Sequence, residues 1–213
     1  MRCPSCGGLV VYDRERVEFV CALCESAVST IEWPYSPEYM EATYTVRTSS
    51  KEKKARKVIR KHSTANTAVA FSGKDSLVAA HLTISTGVAV DIVICTHVAE
   101  TRLPAKLIDE LRAVAESLGA RRVIIHDEPW DVHASLFAII NRTYGYDTIV
   151  TGLRRRENRG HNNVVEHHRA VKLINPVIDW TAAEVWSYIF HYRLPVLTPY
   201  RHARPDASLQ HLM

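Results

Sequence analysis

The pattern of apolar and polar residues predicts alternating strands and helices over most of the chain. Apolar runs at Thr67–Phe71 and at residues 88–95 have the length and composition of buried strands. From residue 103 to residue 118, apolar residues recur every three or four positions, which is the spacing of one helix face. Strands that alternate with helices in this way form a parallel sheet covered by helices. We therefore expect an α/β fold.

From residue 67 onward the same pattern predicts a complete series of elements. Strands are predicted at residues 67–71, 88–95, 122–126, 148–153 and 171–174. Helices are predicted at residues 74–85, 103–118, 130–144 and 181–193. The last helix begins with Thr181 and Glu184 at the spacing of a capping box. Residues 154–168 are polar and are predicted to form a loop.

Four of the five cysteines form two Cys-x-x-Cys pairs, Cys3 with Cys6 and Cys21 with Cys24. This spacing lets the two pairs of thiolates converge on one tetrahedral Zn²⁺ ion. Residues 9–12 and 17–20 are predicted to form two short strands joined by a turn. We predict a structural zinc ribbon, and the alternatives are disulfides or a redox-active Cys-x-x-Cys. So small a segment buries little apolar surface, so the metal would supply much of its folding free energy.

Composition and length limit the class of protein. The 213 residues suffice for one α/β domain and a small appendage, and 46% are apolar and 23% charged, as in soluble globular proteins. No apolar run approaches the roughly 20 residues that span a bilayer, and the first residues lack the apolar core of a signal peptide. We expect a cytoplasmic protein with no membrane partner. Its predicted parts are a zinc ribbon at 1–32, a linker with a basic helix at 33–62 and a main domain at 63–213, and both a monomer and a homo-oligomer fit the sequence.

Residues 51–61 contain seven basic side chains and one acidic side chain. One interpretation is a solvated helix that leads into the main domain. The other is contact with the phosphate backbone of RNA or DNA, because clustered Lys and Arg are typical of nucleic-acid binding. The formal net charge of +4 does not decide between the two interpretations.

The junction of the first main-domain strand and its helix has the composition of an anion-binding loop. Residues 72–76 read Ser-Gly-Lys-Asp-Ser. A tight turn here directs backbone N–H groups and the positive end of a helix at a ligand, while Lys74 adds charge and the serines add hydroxyls. The loop differs from a Walker A motif, because Asp75 stands where that motif requires Ser or Thr. An acid at this position suits either a bound Mg²⁺ ion or the orientation of the loop's own amides.

Three motifs in order resemble the PP-loop adenine nucleotide alpha hydrolase superfamily. Residues 69–76, Val-Ala-Phe-Ser-Gly-Lys-Asp-Ser, are similar to the PP-loop pattern Ser-Gly-Gly-x-Asp-Ser. Residues 151–157, Thr-Gly-Leu-Arg-Arg-Arg-Glu, and residues 175–181, Asn-Pro-Val-Ile-Asp-Trp-Thr, are similar to the branch of phosphoadenosine phosphosulfate (PAPS) reductase and the ATP sulfurylase small subunit. The resemblance implies a Rossmann-like, HUP-type domain with a parallel sheet flanked by helices. Such a domain binds the phosphates of ATP or of a sulfonucleotide, PAPS or adenosine phosphosulfate (APS), and we expect Mg²⁺ with them.

The resemblance also implies which residues contact the nucleotide. They form the PP-loop and a second anion site after the fourth strand, and they are Phe71, Ser72, Gly73, Lys74, Asp75, Ser76, Gly152, Arg154, Arg155 and Arg156. Of these, we expect Lys74, Asp75, Arg154 and Arg155 to act in catalysis. Three adjacent arginines at the end of a strand also suit a polyphosphate on chemical grounds. The alternative for them is a solvated basic loop.

The chain departs from the family pattern in two ways. Ser72 replaces the first glycine of the loop, or one glycine is missing. PAPS reductases act through a cysteine in a C-terminal tail, whereas no cysteine follows Cys95 in this sequence. Cys95 itself is either a small core residue or the carrier of a persulfide. The histidines at 161, 167 and 168 either approach a phosphate or a metal or have surface roles.

Two classes of function fit these features. The first is an enzyme that binds ATP or a sulfonucleotide and adenylylates an acceptor with release of pyrophosphate. Within this class, the alternative is a PAPS or APS reductase that uses a thiol from a partner protein. The second class is a non-catalytic module that senses a nucleotide and binds nucleic acid. The zinc ribbon and the basic helix favour RNA as a partner.

Overall fold

The computed structural model describes residues 10–13, 18–21, 37–98, 101–128, 135–155 and 163–200. Its strands are β1 (Val10–Asp13), β2 (Glu18–Cys21), β3 (Thr67–Phe71), β4 (Asp91–Cys95), β5 (His97–Val98), β6 (Thr101–Arg102), β7 (Arg122–His126), β8 (Thr148–Val150), β9 (Val165–His168) and β10 (Val171–Ile174). Its α-helices are α1 (Pro37–Thr43), α2 (Ser49–His62), α3 (Lys74–Ile84), α4 (Ala105–Ser117), α5 (Leu136–Tyr144) and α6 (Ala182–His191). A π-helix (Tyr44–Thr48) joins α1 to α2, and a 3₁₀ turn (Thr198–Tyr200) follows α6.

Six strands form one sheet in the order β7-β4-β3-β8-β10-β9. Neighbouring strands are parallel except at the edge, where β9 pairs antiparallel with β10. The chain moves outward from β3 to β4 and β7 and then returns to the other side of β3 with β8. The strand order therefore reverses between β3 and β8, and open parallel sheets have a crevice for a ligand at such a point. The prediction of a Rossmann-like parallel sheet with flanking helices is confirmed.

The two faces of the sheet are covered by separate groups of helices, because successive strand residues point to opposite faces. On one face, Val69 and Phe71 of β3 belong to a core that includes residues of α2, α3, α4 and α6. On the other face, Ala68 and Val93 pack with Ile140 of α5. Burial on both faces explains why these strands are almost continuously apolar in the sequence.

The segment expected to be a linker is helical from Pro37 onward. Helix α1 and the π-helix pack on α6, and α2 packs on α3. Tyr44 and Tyr192 each donate a hydrogen bond of 2.7 Å to the carboxylate of Glu52. Arg56 pairs with the same carboxylate at 2.6 Å. These contacts join the helices that precede β3 to the main sheet domain.

Some predicted elements differ from the structure. The prediction of a loop over residues 154–168 is wrong at Val165–His168, which form β9. An edge strand tolerates polar residues because part of it faces solvent, so its sequence lacks the apolar run of a central strand. The pair β5 and β6 was not predicted, and β4 and β8 are shorter than expected. The predicted helix at 130–144 is observed from Leu136, while residues 129–134 lie outside the described part of the chain.

The predicted hairpin of the cysteine-rich segment is present as β1 and β2, which pair antiparallel with Val10 opposite Cys21. Cys21 therefore lies at the end of the hairpin where β1 begins. Cys3, Cys6 and Cys24 lie outside the described residues, so the zinc site stays a prediction. Among the described residues, no cluster of three or more metal-binding side chains occurs elsewhere. None of the described helices has both the length and the apolar composition needed to cross a membrane.

Candidate functional site

The loop between β3 and α3 is closed by the hydroxyl group of Ser76. The backbone N–H groups of Ser72 and Gly73 both donate to Ser76 Oγ at 2.9 Å, and this hydroxyl donates to the carbonyl of Gly73 at 2.9 Å. Two amides expected to face a ligand are therefore satisfied within the loop. The hydroxyl-bearing residue Ser72 is itself exposed. An anion that used these two amides would have to replace Ser76 Oγ as their acceptor.

Three charged side chains meet at the first turn of α3. Lys74 Nζ lies 2.9 Å from one carboxylate oxygen of Asp75, and Arg154 Nε lies 2.9 Å from the other. The side chains of Lys74, Asp75 and Arg154 are 1%, 13% and 5% exposed. Lys74 Nζ also lies 5.2 Å from the centre of the Tyr200 ring, which is within the range of a cation–π contact. Asp75 thus lies between two cations at the carboxyl end of the sheet. It accepts a hydrogen bond from Lys74, whereas its close contact with Arg154 lacks the geometry of a hydrogen bond.

Gly152 brings the loop after β8 against the first turn of α3. A Cβ atom at this position would lie 2.3 Å from the backbone nitrogen of Ser76 and 2.7 Å from its Cα atom. Carbon atoms never approach backbone so closely without displacing it, so only glycine permits this contact. Gly152 therefore has a packing role in the site, in addition to the anion-binding role that the sequence predicts for it.

A buried polar pair supports the loop after β8. Thr151 Oγ1 donates to Asn175 Oδ1 at 2.6 Å and accepts a hydrogen bond of 3.2 Å from the backbone N–H of Leu153. The amide group of Asn175 donates to Glu166 Oε1 at 3.0 Å. The sequence motifs did not predict a role for Thr151 or Asn175, although each of these residues begins a motif of the family resemblance. A polar residue at the end of each of two apolar strands was the sequence feature that could have indicated this role.

Arg155 does not join the Lys74, Asp75 and Arg154 cluster. Its backbone N–H donates to the carbonyl of Ile178 at 2.8 Å, and its guanidinium group pairs with the carboxylate of Asp179 at 2.7 Å. Both side chains of this ion pair are about half exposed. The structure therefore separates two adjacent arginines that the sequence treats alike. Arg156, also predicted to contact the nucleotide, lies outside the described residues.

Two other residues singled out in the sequence lie in the core. The side chain of Phe71 is 1% exposed and packs in the core on one face of the sheet, so only its main chain is available to a ligand. Cys95 is buried at the end of β4, and burial raises the pKa of its thiol to about 12. A thiol with such a pKa stays protonated near neutral pH and is a poor nucleophile. This favours the interpretation of Cys95 as a small core residue.

His167 and His168 lie at the opposite end of the strands from the loop between β3 and α3. His167 and His168 belong to β9, where they are opposite Lys172 and Val171 at the amino end of β10. The Lys74 and Arg154 cluster lies at the carboxyl ends of the strands. The suggestion that these two histidines approach the phosphate site is therefore not supported, and His161 lies outside the described residues.

The residues of this cluster do not fit a Mg²⁺ ion held by the protein. Each oxygen of the Asp75 carboxylate faces a cation, and the described residues place no second carboxylate with it in a metal-binding cluster. A doubly charged cation would be repelled by Lys74 and Arg154. Of the two roles considered for Asp75, the structure favours the positioning of neighbouring groups.

Comparisons with known proteins agree with this fold. Residues 137–203 match the family model of the phosphoadenosine phosphosulfate reductase domain, a segment that includes the second and third motifs and excludes the PP-loop. The sequence matches none of the curated proteins. The structure is similar to that of phosphoadenylyl-sulfate (PAPS) reductase from Candida auris in a phosphate complex, with a TM-score of 0.51, 17% identity, and coverage of 79% of this chain and 91% of that chain. It also aligns with NH3-dependent NAD synthetase from Campylobacter jejuni subsp. jejuni NCTC 11168 in complex with the nitrate ion, with a TM-score of 0.43, 16% identity, and coverage of 69% and 72%. The family match over residues 137–203 supports the PP-loop superfamily, and the likeness to the reductase shows a shared fold.

Proposed function

We propose that the protein binds ATP or a sulfonucleotide at the junction of β3 and β8 and that, with ATP, it transfers the adenylyl group to an acceptor with release of pyrophosphate. The observation that carries this proposal is the buried contact of Lys74 and Arg154 with the two oxygens of Asp75. It lies where the strand order reverses, which is the expected position of a ligand in an open parallel sheet. Two fixed cations at this point suit a ligand that carries several phosphate groups.

In the proposed reaction, an acceptor oxygen attacks the α-phosphorus of ATP and the bond from that phosphorus to the pyrophosphate oxygen breaks. Negative charge grows on the departing pyrophosphate, and Lys74 and Arg154 stabilise it. Asp75 is a positioning residue, because it holds both cations in place. The Ser72 and Gly73 amides join the site when a phosphate oxygen replaces Ser76 Oγ as their acceptor. Any Mg²⁺ ion arrives on the nucleotide, and no step is assigned to it.

The family match at residues 137–203 favours a second candidate, which is sulfonucleotide reduction. Such a reaction needs a nucleophilic thiol. Cys95 is unsuited to this role because it is buried and its thiol pKa is raised to about 12. No other cysteine lies between residue 25 and residue 213. In this candidate function the nucleophilic thiol lies outside residues 25–213, and we propose that a partner protein supplies it.

We also propose that Cys3, Cys6, Cys21 and Cys24 hold a structural Zn²⁺ ion. The hairpin pairs Cys21 with Val10, which follows Cys6 by four residues in the sequence, and a Cys₄ set with x-x loops is typical of zinc ribbons. Thiolate ligands of this kind suit a reducing, cytoplasmic compartment. The ion would stabilise the hairpin and would take no part in the reaction.

Thermal unfolding in the presence of ATP with Mg²⁺, PAPS or APS separates the two candidate reactions. A ligand that binds the native state raises the melting temperature by mass action. We expect protection by ATP, together with release of pyrophosphate once the acceptor is supplied. Protection by PAPS or APS without protection by ATP would instead identify the reductase function. Protection by none of the three would contradict both.

A further inference from the structure

Helix α2 carries a basic face on the surface of the protein. Five of its residues are both basic and exposed, and they are Lys53, Lys54, Lys57, Arg60 and Lys61. At 3.6 residues per turn, they lie within an arc of about 120° of the helix surface. The opposite side is buried against the protein at Glu52, Ala55 and Ile59. The helix is therefore anchored by one side and presents the charges on the other.

The remaining two basic residues of the segment 51–61 form ion pairs within the protein. Lys51 pairs with Glu184 at 2.7 Å, and Arg56 pairs with Glu52 at 2.6 Å. In the described part of the chain, no acidic side chain lies within ion-pair distance of the five exposed residues. The sequence spacing explains this, because the single acid of the segment, Glu52, lies on the buried side. The five charges remain available to a ligand.

An open pocket adjoins this basic face. It lies between α2 and the chain that follows β10, and Val58, Pro176, Ile178 and Trp180 contribute apolar walls. Asp179 also lines it, with its carboxylate paired to Arg155. Lys54 belongs both to the basic face and to the rim of the pocket. The surface thus combines a row of positive charges with an apolar recess beside it. This is the combination with which proteins bind single-stranded nucleic acid, whose phosphates contact cations while its bases contact apolar groups.

We propose that the basic face of α2 binds the phosphate backbone of a single-stranded nucleic acid, with a base entering the pocket beside Lys54. A lipid surface is a poorer match, because a helix that lies on a membrane inserts an apolar face, and the apolar face of α2 is already buried in the protein. A duplex is a poorer match because its bases are stacked and cannot enter the pocket. This surface shares no residue with the Lys74, Asp75 and Arg154 cluster, so different variants test single-strand binding and the proposed reaction.

Fluorescence anisotropy with the intact protein and a labelled 20-nucleotide single strand tests the proposal. RNA and DNA of the same sequence, a DNA duplex and vesicles of anionic phospholipid are compared at several salt concentrations without added nucleotide. Neutralisation of five phosphates predicts a slope of log affinity against log salt of about −3.5, which corresponds to about a hundredfold weaker binding at 200 mM than at 50 mM salt. If the sequence contains only A, C and G, the RNA and DNA strands differ only in the 2′-hydroxyl group, so the ratio of their affinities shows which of the two the surface prefers.

Charge reversal with a matched control locates the surface. The variant Lys57→Glu/Arg60→Glu should weaken single-strand binding at least about tenfold and reduce the magnitude of the salt slope by about 1.4. The control Lys106→Glu/Arg112→Glu changes two exposed basic residues of α4 by the same charge and should have less effect on both. Circular dichroism checks that both variants are folded. The variant Val58→Phe, which fills the pocket, should weaken single-strand binding without changing the salt slope.

Three results would overturn the proposal. The first is no salt-dependent binding of a single strand at 50 mM salt. The second is an equal loss of binding in the α2 and α4 variants, since it would show only a response to net charge. The third is preferential binding of the duplex or of the vesicles, because neither offers unstacked bases to the pocket.

Discussion

Gly152 is the residue on which the contact between the two site loops depends. A Cβ atom there would lie 2.3 Å from the backbone of Ser76. We expect Gly152→Ala to lower the free energy of unfolding by about 2 kcal/mol, in the range typical of overpacking, and to weaken nucleotide binding because it moves Arg154 away from Asp75. Urea unfolding measures the first effect. Gly87→Ala is the control, because its φ of +82° is strained but its Cβ would meet no atom within 4 Å.

The comparison of these two glycine variants distinguishes a steric clash from backbone strain as the cause of lost stability. Strain from a left-handed backbone costs about 1 kcal/mol, so the control should lose less stability and keep its nucleotide affinity. If Gly152→Ala is as stable as the wild-type protein, the close approach of the two loops is not a feature of the protein in solution.

Asp91 joins elements at the amino edge of the sheet. This residue of β4 is fully buried and pairs with Arg122 of β7 and, at 2.7 Å, with Arg121. Burial by itself would raise the pKa of Asp91, but hydrogen bonds from Arg121, Arg122 and Tyr146 outweigh it and hold that pKa well below its usual range. Since the folded pKa lies below the unfolded value of about 3.9, the contribution to stability is complete above that pH. It is lost as pH falls through the folded pKa.

This linkage predicts how Asp91→Asn behaves. At pH 7 the free energy of unfolding of the variant should be lower by about 2 kcal/mol, because Arg121, Arg122 and Tyr146 lose hydrogen bonds to a charged, buried carboxylate. The difference in the free energy of unfolding between the variant and the wild-type protein should become smaller as the pH is lowered from about 5 to 3. Chemical denaturation at a series of pH values measures it, with Asp109→Asn on the exposed side of α4 as the control. A difference that stays constant with pH would show that the carboxylate charge does not act in this way.

The hairpin of β1 and β2 is the element whose stability we expect to depend on metal. Purified protein should contain about one zinc ion per chain by elemental analysis, as four thiolates of one tetrahedral site require. Cys21→Ser should abolish most of this zinc. Cys95→Ser is the matched control and should retain it, because Cys95 is buried in the main domain. Equal zinc content in both variants, or none in the wild-type protein, would contradict the zinc ribbon.

At the scale of the whole molecule, the sequence predicted the sheet because β3, β4, β7 and β10 are apolar on both faces. It did not predict β9, whose residues Val-Glu-His-His suit an edge but lack the apolar run of a buried strand. The helices at residues 37–48 were also missed, because Pro37 and a tyrosine-rich stretch resemble a linker. Their stability comes from tertiary contacts such as those of Glu52 with Tyr44 and Tyr192, which no local pattern shows.

The candidate site was predicted in composition but only partly in arrangement. Sequence motifs indicate that Lys74, Asp75 and Arg154 belong to one site, because the ends of parallel strands meet at one edge. They do not distinguish Arg154, which faces Asp75, from Arg155, which faces Asp179. Nor do they show that Ser76 Oγ accepts hydrogen bonds from the backbone N–H groups of Ser72 and Gly73. These details depend on backbone geometry that residues far apart in the sequence create together.

Isothermal titration calorimetry with ATP and Mg²⁺ tests the central claim most directly. The intact protein, prepared with zinc, should bind ATP, as should the exposed-lysine control Lys106→Met. Lys74→Met and Arg154→Gln should each bind at least about tenfold more weakly, as expected for the loss of one hydrogen bond to a charged group. Either variant suffices if the other fails to fold. An ATP affinity unchanged in both folded variants, or no binding by the wild-type protein, would contradict a nucleotide site between β3 and β8.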